Sequence, residues 1–468
     1  MTGEANSAAM KMPVPSAVTS MRSSSERIGR SLFMLYCVDA AFDFPSKQDS
    51  GNEIQVTLSV FSLLAFALFA LNARRTNSSL NLLRRVAWMW WLYLATTPVI
   101  AFLRGYQFSH YLRIALPEVL MGTSLMMGYI LLSESKENAT LIFKGLFYSS
   151  VLSSIVHLIH GFSMGLSLEQ VRYYIASPLL IVMVSFALYR LLFEGARSGA
   201  FNLFALGGGL LIIFLSVTRT YFVSIASILL TVGLILFRPP SWLKRRLQRR
   251  IFWNLLLVSL VLAVLVAVVV VAFPGVLAHW TARSSTLGIQ DPTALTRIAE
   301  AAGEIEAMRA DPSHLFLGSG IGSEHELDER YLIGVSEVAH DVDETSYTPG
   351  HIAWVYQFYA SGLLFGWVFP FVFLIAIWKG NSSTSPYIAR MAGVGVVAVF
   401  VTSSFGNMLG DRAGGIGVGL LIALSLYGVK NTGRKRQVRR IWRRTFPRNL
   451  VAVPKNKREF TVSQRKLN

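Results

Sequence analysis

LSVTRTYF, residues 215–222, stands between two apolar runs, AFNLFALGGGLLIIFLSV (200–217) and YFVSIASILLTVGLILF (221–237). Each run approaches the roughly 20 residues that a helix needs to cross a hydrocarbon core. The stretch therefore reads as a tight hairpin between two membrane helices, with Arg219 at the turn. No acidic residue lies nearby in sequence to neutralise it. A guanidinium in that place either snorkels to lipid headgroups or meets an anionic ligand.

The rest of the chain extends this reading. Hydrophobic residues make up 53% of the 468 and charged residues only 15%, where soluble domains carry about a quarter charged. Composition implies an all-α, polytopic integral membrane helical bundle. About twelve spans are expected, near 30–46, 54–73, 86–103, 114–132, 141–160, 175–193, 200–218, 220–237, 251–273, 352–378, 387–407 and 413–429. Asp39 and Asp43 interrupt the first, and intramembrane carboxylates are costly. Residues 1–29 read as a disordered cytoplasmic lead rich in serine, without the apolar segment of a cleaved signal peptide. The single cysteine, Cys37, excludes an intrachain disulfide and a paired-thiol redox or metal site.

The net charge of +18 is placed beside the membrane, which argues against nucleic acid as a partner. RPPSWLKRRLQRR (238–250) holds six Lys or Arg and no acid, and the tail from Lys430 holds fourteen against one glutamate. Basic loops favour the cytoplasmic side and anionic headgroups. With twelve spans, both termini and every strongly basic segment fall on that side. The expected domains are spans one to nine at 30–273, an external loop at 274–350, spans ten to twelve at 351–429 and a basic tail at 430–468. Thirteen of the twenty-six acids lie in that loop.

Within the loop, Asp291-Pro292 resembles a helix start, and Leu295, Ile298, Ala302, Ile305 and Met308 recur at helical spacing until Asp311-Pro312. An amphipathic helix lying over the outer mouth of the bundle is expected. GSGIG (318–322) reads as a tight turn rather than a phosphate cradle, because no strand precedes it in a cytoplasmic domain. His340, Asp341, Asp343 and Glu344 lack the spacing of a Ca²⁺ loop and read as a solvated acidic lid, so no metal and no cofactor are expected.

Three residues could carry chemistry on the outer side: Arg219 in the hairpin, Arg297 on the loop helix and His351 at the start of span ten. A guanidinium fork suits the oxygens of a diphosphate. A histidine could take a proton from an attacking sugar hydroxyl. Together they fit a transferase with a lipid diphosphate donor. Arg412, in the outer GDR, and Tyr221 are further substrate-binding candidates. Tyr331, Tyr347, Trp354, Tyr356 and Tyr359 could stack on sugars or form an interfacial belt. Snorkelling, an interfacial histidine and a solvated helix residue are the plain alternatives for Arg219, His351 and Arg297.

These features resemble the O-antigen ligase and polymerase superfamily, whose members have about a dozen spans and a long late external loop. SVTRT matches its hairpin arginine; Arg297, Asp311-Pro312 and the GSG of 318–320 match its loop; His351 and Gly362 match its following helix. Ile352, Ala360 and Gly366 depart from its pattern. The resemblance implies an inverting, metal-independent glycosyltransferase of the bacterial inner membrane. Its donor would be an undecaprenyl-diphosphate-linked oligosaccharide, held by the arginines, with His351 acting on the acceptor hydroxyl. A polymerase of O-antigen or exopolysaccharide, working beside other polysaccharide assembly proteins, is favoured over a ligase acting on lipid A-core. A transporter of an anionic or sugar substrate and a membrane scaffold remain as other classes; the absence of a clear internal repeat disfavours the transporter.

Overall fold

The computed structural model describes residues 16–43, 51–72, 80–106, 108–135, 137–164, 171, 174–194, 199–237, 245–285, 292–331, 346–347 and 350–427. Asp291, the 340–344 acidic cluster and the tail at 430–468 lie outside them. The helices, in chain order, are α1 (Ser16–Asp39), α2 (Gly51–Asn72), α3 (Asn81–Leu103), α4 (Phe108–Glu134), α5 (Asn138–Ser163), α6 (Leu180–Glu194), α7 (Gly199–Ser216), α8 (Arg219–Phe237), α9 (Arg245–Ala272), α10 (Pro274–Ser285), α11 (Pro292–Ala310), α12 (Pro312–Leu317), α13 (Ala353–Phe365), α14 (Val368–Gly380), α15 (Tyr387–Ser403) and α16 (Arg412–Ser425). A two-residue antiparallel ladder pairs His325 with Tyr347 and Glu326 with Ser346.

The chain is thus an all-α bundle. Among the described residues six helices are long and apolar enough to cross a membrane, or seven if a bent pair counts as one. A helix lies within each of the twelve expected stretches, but Val56–Leu71, Tyr387–Ser403 and Arg412–Ser425 are short.

Two expected segments show a different local structure. Helix α1 begins at Ser16, so 16–29, read as an unordered lead, is helical; neither proline nor glycine interrupts 16–28. The stretch 352–378, read as one span, is α13 and α14 with a 101° bend between them. Gly362 sits at φ +63° inside α13, outside helical geometry, so the backbone ladder breaks there.

Small residues build the centre. On α16, Gly415 meets the Pro117 carbonyl, Gly419 the Met121 carbonyl, and Ala423 packs against Gly128, which lets α16 and α4 approach backbone to backbone. Helix α6 is buried on all sides from Leu180 to Phe193 except at Arg190. Helix α9 instead exposes Leu256, Leu260, Val264 and Val268, as a face turned to lipid would.

A buried carboxylate locks α13 onto this frame. Glu118 of α4 is hydrogen-bonded by the Gln357 amide and by the Tyr93 hydroxyl at 2.9 Å. This position sets where α13 begins, and so where His351 stands.

Candidate functional site

The SVTRT hairpin is as tight as its sequence suggests. Only Val217 and Thr218 separate α7 from α8, and Val217 takes φ +51°, a costly left-handed conformation for a β-branched residue. Packing holds it there: Val217 is buried, and Trp280 of α10 closes over the hairpin. Its indole N–H donates to the Phe214 carbonyl at 3.1 Å, and its ring meets Phe222 edge-on at 5.2 Å. Half-buried Arg219 is the first residue of α8, where the helix end itself favours negative charge. Tyr221 follows on the same turn, within electrostatic reach of Asp411.

Arg412, expected to face a diphosphate, is spent inside the bundle. Its side chain is 3% exposed; Nη1 lies 2.8 Å from Asp39 Oδ2 and Nε 3.5 Å from Asp43 Oδ1. Nη2 donates to the Asp39 carbonyl at 3.2 Å. Asp43 also accepts the backbone N–H of Ala413 at 2.6 Å. The carboxylates that made the first span look unfavourable are the counter-ions of this arginine, which corrects its reading as a ligand for substrate.

The loop half of the site is built on α11, which runs from Pro292 to Ala310 as the spacing predicts. Of its five spaced apolar residues only Met308 is fully buried. Ile298 and Ile305 are exposed, while Ala299, Glu300, Glu304 and Met308 are buried. Arg297, Glu300 and Glu304 are spaced by three and four residues and share one stripe of the helix. Arg297, at the edge of this stripe, is half-buried.

Into that stripe comes the start of α13. Glu300 accepts the backbone N–H of His351 at 2.9 Å, and its two oxygens lie 3.2 and 3.1 Å from His351 Nδ1. Glu300 is 3% exposed and the His351 side chain 47%, so the imidazole is anchored on one edge and open on the other. Gly350 is what admits the backbone so close, since a side chain there would meet the Glu304 carboxyl. His325 lies behind, with Nε2 3.7 Å from Glu304 Oε1 and 3.9 Å from Glu300 Oε1.

Burial, then the neighbouring Glu300, raises the Glu304 carboxyl to about 9, so it keeps its proton at neutral pH. Burial lowers the His325 imidazole against the opposing pull of Glu300, which keeps that ring neutral. Among the described residues no group of three or more His, Cys, Asp or Glu has the arrangement of a metal site.

The GSGIG turn is structural, as its reading as a tight turn implies. The kink at Gly362 frees the carbonyls of Tyr359 and Ala360, and the N–H groups of Ser319 and Gly320 take them at 2.8 and 2.9 Å. Gly318, at φ +86°, touches the Ala360 carbonyl, and Gly362 touches that of Phe316. Arg104, unremarked in the sequence, clamps the same turn from the end of α3, donating to Ser313 Oγ at 2.9 Å and the Gly318 carbonyl at 3.2 Å.

The structure thus anchors His351 on Glu300, one helical turn after Arg297, leaves Arg219 in its hairpin beneath Trp280, and removes Arg412 to an internal ion network. No family model, curated protein or solved structure matches the chain.

Proposed function

We propose that this protein is a membrane glycosyltransferase that moves a glycan from a lipid-diphosphate carrier to a sugar hydroxyl at the outer mouth of the bundle. The observation that carries this reading is the anchoring of His351 on Glu300, one turn along α11 from Arg297, with the imidazole open on the side away from Glu300. In this reading the chain crosses a bacterial inner membrane about twelve times with both termini cytoplasmic, which puts the loop on the carrier's side.

The chemistry asks little else. Arg297 and Arg219 hold the diphosphate oxygens by forked hydrogen bonds and stabilise the charge that develops as the diphosphate leaves. The acceptor oxygen bonds to the anomeric carbon from the opposite face, the carbon–oxygen bond to the diphosphate breaks, and the hydroxyl proton goes to His351. Polymerisation of carrier-linked repeat units is the reaction favoured here; transfer to lipid A-core uses the same step with another acceptor.

Purified protein incubated with an undecaprenyl-diphosphate-linked oligosaccharide, with and without lipid A-core, tests both. Lengthening chains on the carrier indicate a polymerase, and glycan on the core a ligase. No product from either, with flux of the glycan across proteoliposomes, would replace the transferase with a transporter. Arg219→Lys keeps the charge and loses the fork; full activity in that variant would contradict forked binding.

A further inference from the structure

We infer that Glu300 is a positioning residue that fixes His351 as the Nδ1–H tautomer and leaves Nε2 as the proton acceptor at the mouth of the site. The function of that tautomer rests on the transferase reading, whereas the pairing itself does not.

The geometry carries it. A backbone N–H can only donate, so the Glu300 oxygen facing the His351 amide accepts. The same carboxylate faces Nδ1 with both oxygens at 3.2 and 3.1 Å, and a carboxylate is satisfied there only if Nδ1 bears the hydrogen. Two contacts from one buried group to the backbone and ring of one residue fix the ring's rotation as well as its proton. Nε2 then lies on the open side, with its lone pair free for a hydroxyl.

The other groups facing this pair support the assignment. His325 and Glu304 lie behind Glu300, and both are held neutral by burial. Arg297 stands one turn earlier on the same stripe. The site therefore has one carboxylate aligned with one imidazole, backed by two uncharged side chains. When His351 takes the acceptor's proton on Nε2, the resulting imidazolium keeps its Nδ1 hydrogen bond to Glu300, now charge-assisted. No further proton moves, and the electron pair of the broken bond leaves on the diphosphate.

Glu300→Gln separates this role from simple packing. The amide has nearly the same shape, but with its oxygen on the His351 backbone N–H it turns its NH₂ toward Nδ1. That inverts the tautomer and puts the hydrogen on Nε2. A wrong tautomer at a catalytic histidine with its geometry intact costs up to roughly 10⁴-fold in kcat.

The test uses the full chain in nanodiscs with ¹⁵N-labelled histidine, the His351 signals being assigned from the spectrum of His351→Asn. At pH 8 the wild type should show hydrogen on Nδ1 and a bare Nε2, and Glu300→Gln the reverse. With carrier-linked oligosaccharide, Glu300→Gln should lower kcat by about 100-fold or more with the donor's KM unchanged. Glu300→Asp, which keeps an acceptor, should retain the wild-type tautomer and lose less activity. A wild-type Nε2–H, or a tautomer indifferent to Glu300→Gln, overturns the assignment. The expected spectra in a protein that transfers nothing would leave the pairing standing and overturn the transferase reading instead.

Discussion

Two clusters of buried ionisable side chains among the described residues are built to opposite ends. At Arg412 three guanidinium nitrogens meet acceptors from Asp39 and Asp43, and Asp43 takes a backbone N–H besides. All three side chains are nearly inaccessible. Around Glu300, Glu304 of α11 and His325 of the short ladder have buried polar atoms without hydrogen-bond partners among the described residues, and His351 is half open. A closed network of matched donors and acceptors holds helices together; an incompletely satisfied one with an open member is where chemistry can enter.

Substitutions should separate the two. His351→Asn should lower transfer by about 10²–10⁴-fold, the range for loss of a general base, while the unfolding free energy moves by no more than about 1.5 kcal/mol, the worth of one hydrogen bond. Product yield and denaturant titration of the same preparation check both numbers. Arg412→Ala should do the reverse, leaving two buried carboxylates without a partner at a cost of about 3–5 kcal/mol. A folded, fully stable Arg412→Ala protein would contradict the closed-network description.

Smaller effects probe the supports. Gly362→Ala places a side chain against the Phe316 carbonyl at a positive φ and should cost about 1–3 kcal/mol, read from thermal unfolding. It should also loosen the Ser319 and Gly320 hydrogen bonds, seen as faster amide exchange there.

The smallest difference is one of pH. Because the folded Glu304 carboxyl holds its proton to about 9, its contribution to stability is complete below the ordinary carboxylate range and is lost as pH rises toward 9. Glu304→Gln removes that proton exchange and should flatten the fall in melting temperature between about pH 5 and 9. An unchanged slope would show that Glu304 titrates normally.

The helices were legible because long apolar runs leave the backbone few other choices in a membrane. What the sequence hid has a common cause, contact over long separations. Asp39 and Arg412 are 373 residues apart, so the arginine looked free and the aspartates looked costly. The break at Gly362 depends on carbonyls taken by the GSGIG turn, which belongs to another element. On α11 the apolar spacing located the helix, but of the spaced residues only Met308 is fully buried. Glu300 and Glu304 drew no notice, because acids usually sit in solvent. The signal that could have found them is their place on the same stripe as Arg297. The SVTRT hairpin was readable locally, since a two-residue connection leaves its arginine nowhere else to go.

The central claim is that the opened cluster, and not the closed one, does the chemistry. Incubating wild type and His351→Asn with undecaprenyl-diphosphate-linked oligosaccharide tests it most directly. Wild type should form longer carrier-linked chains, and the folded variant almost none. Equal product from both proteins would contradict the account.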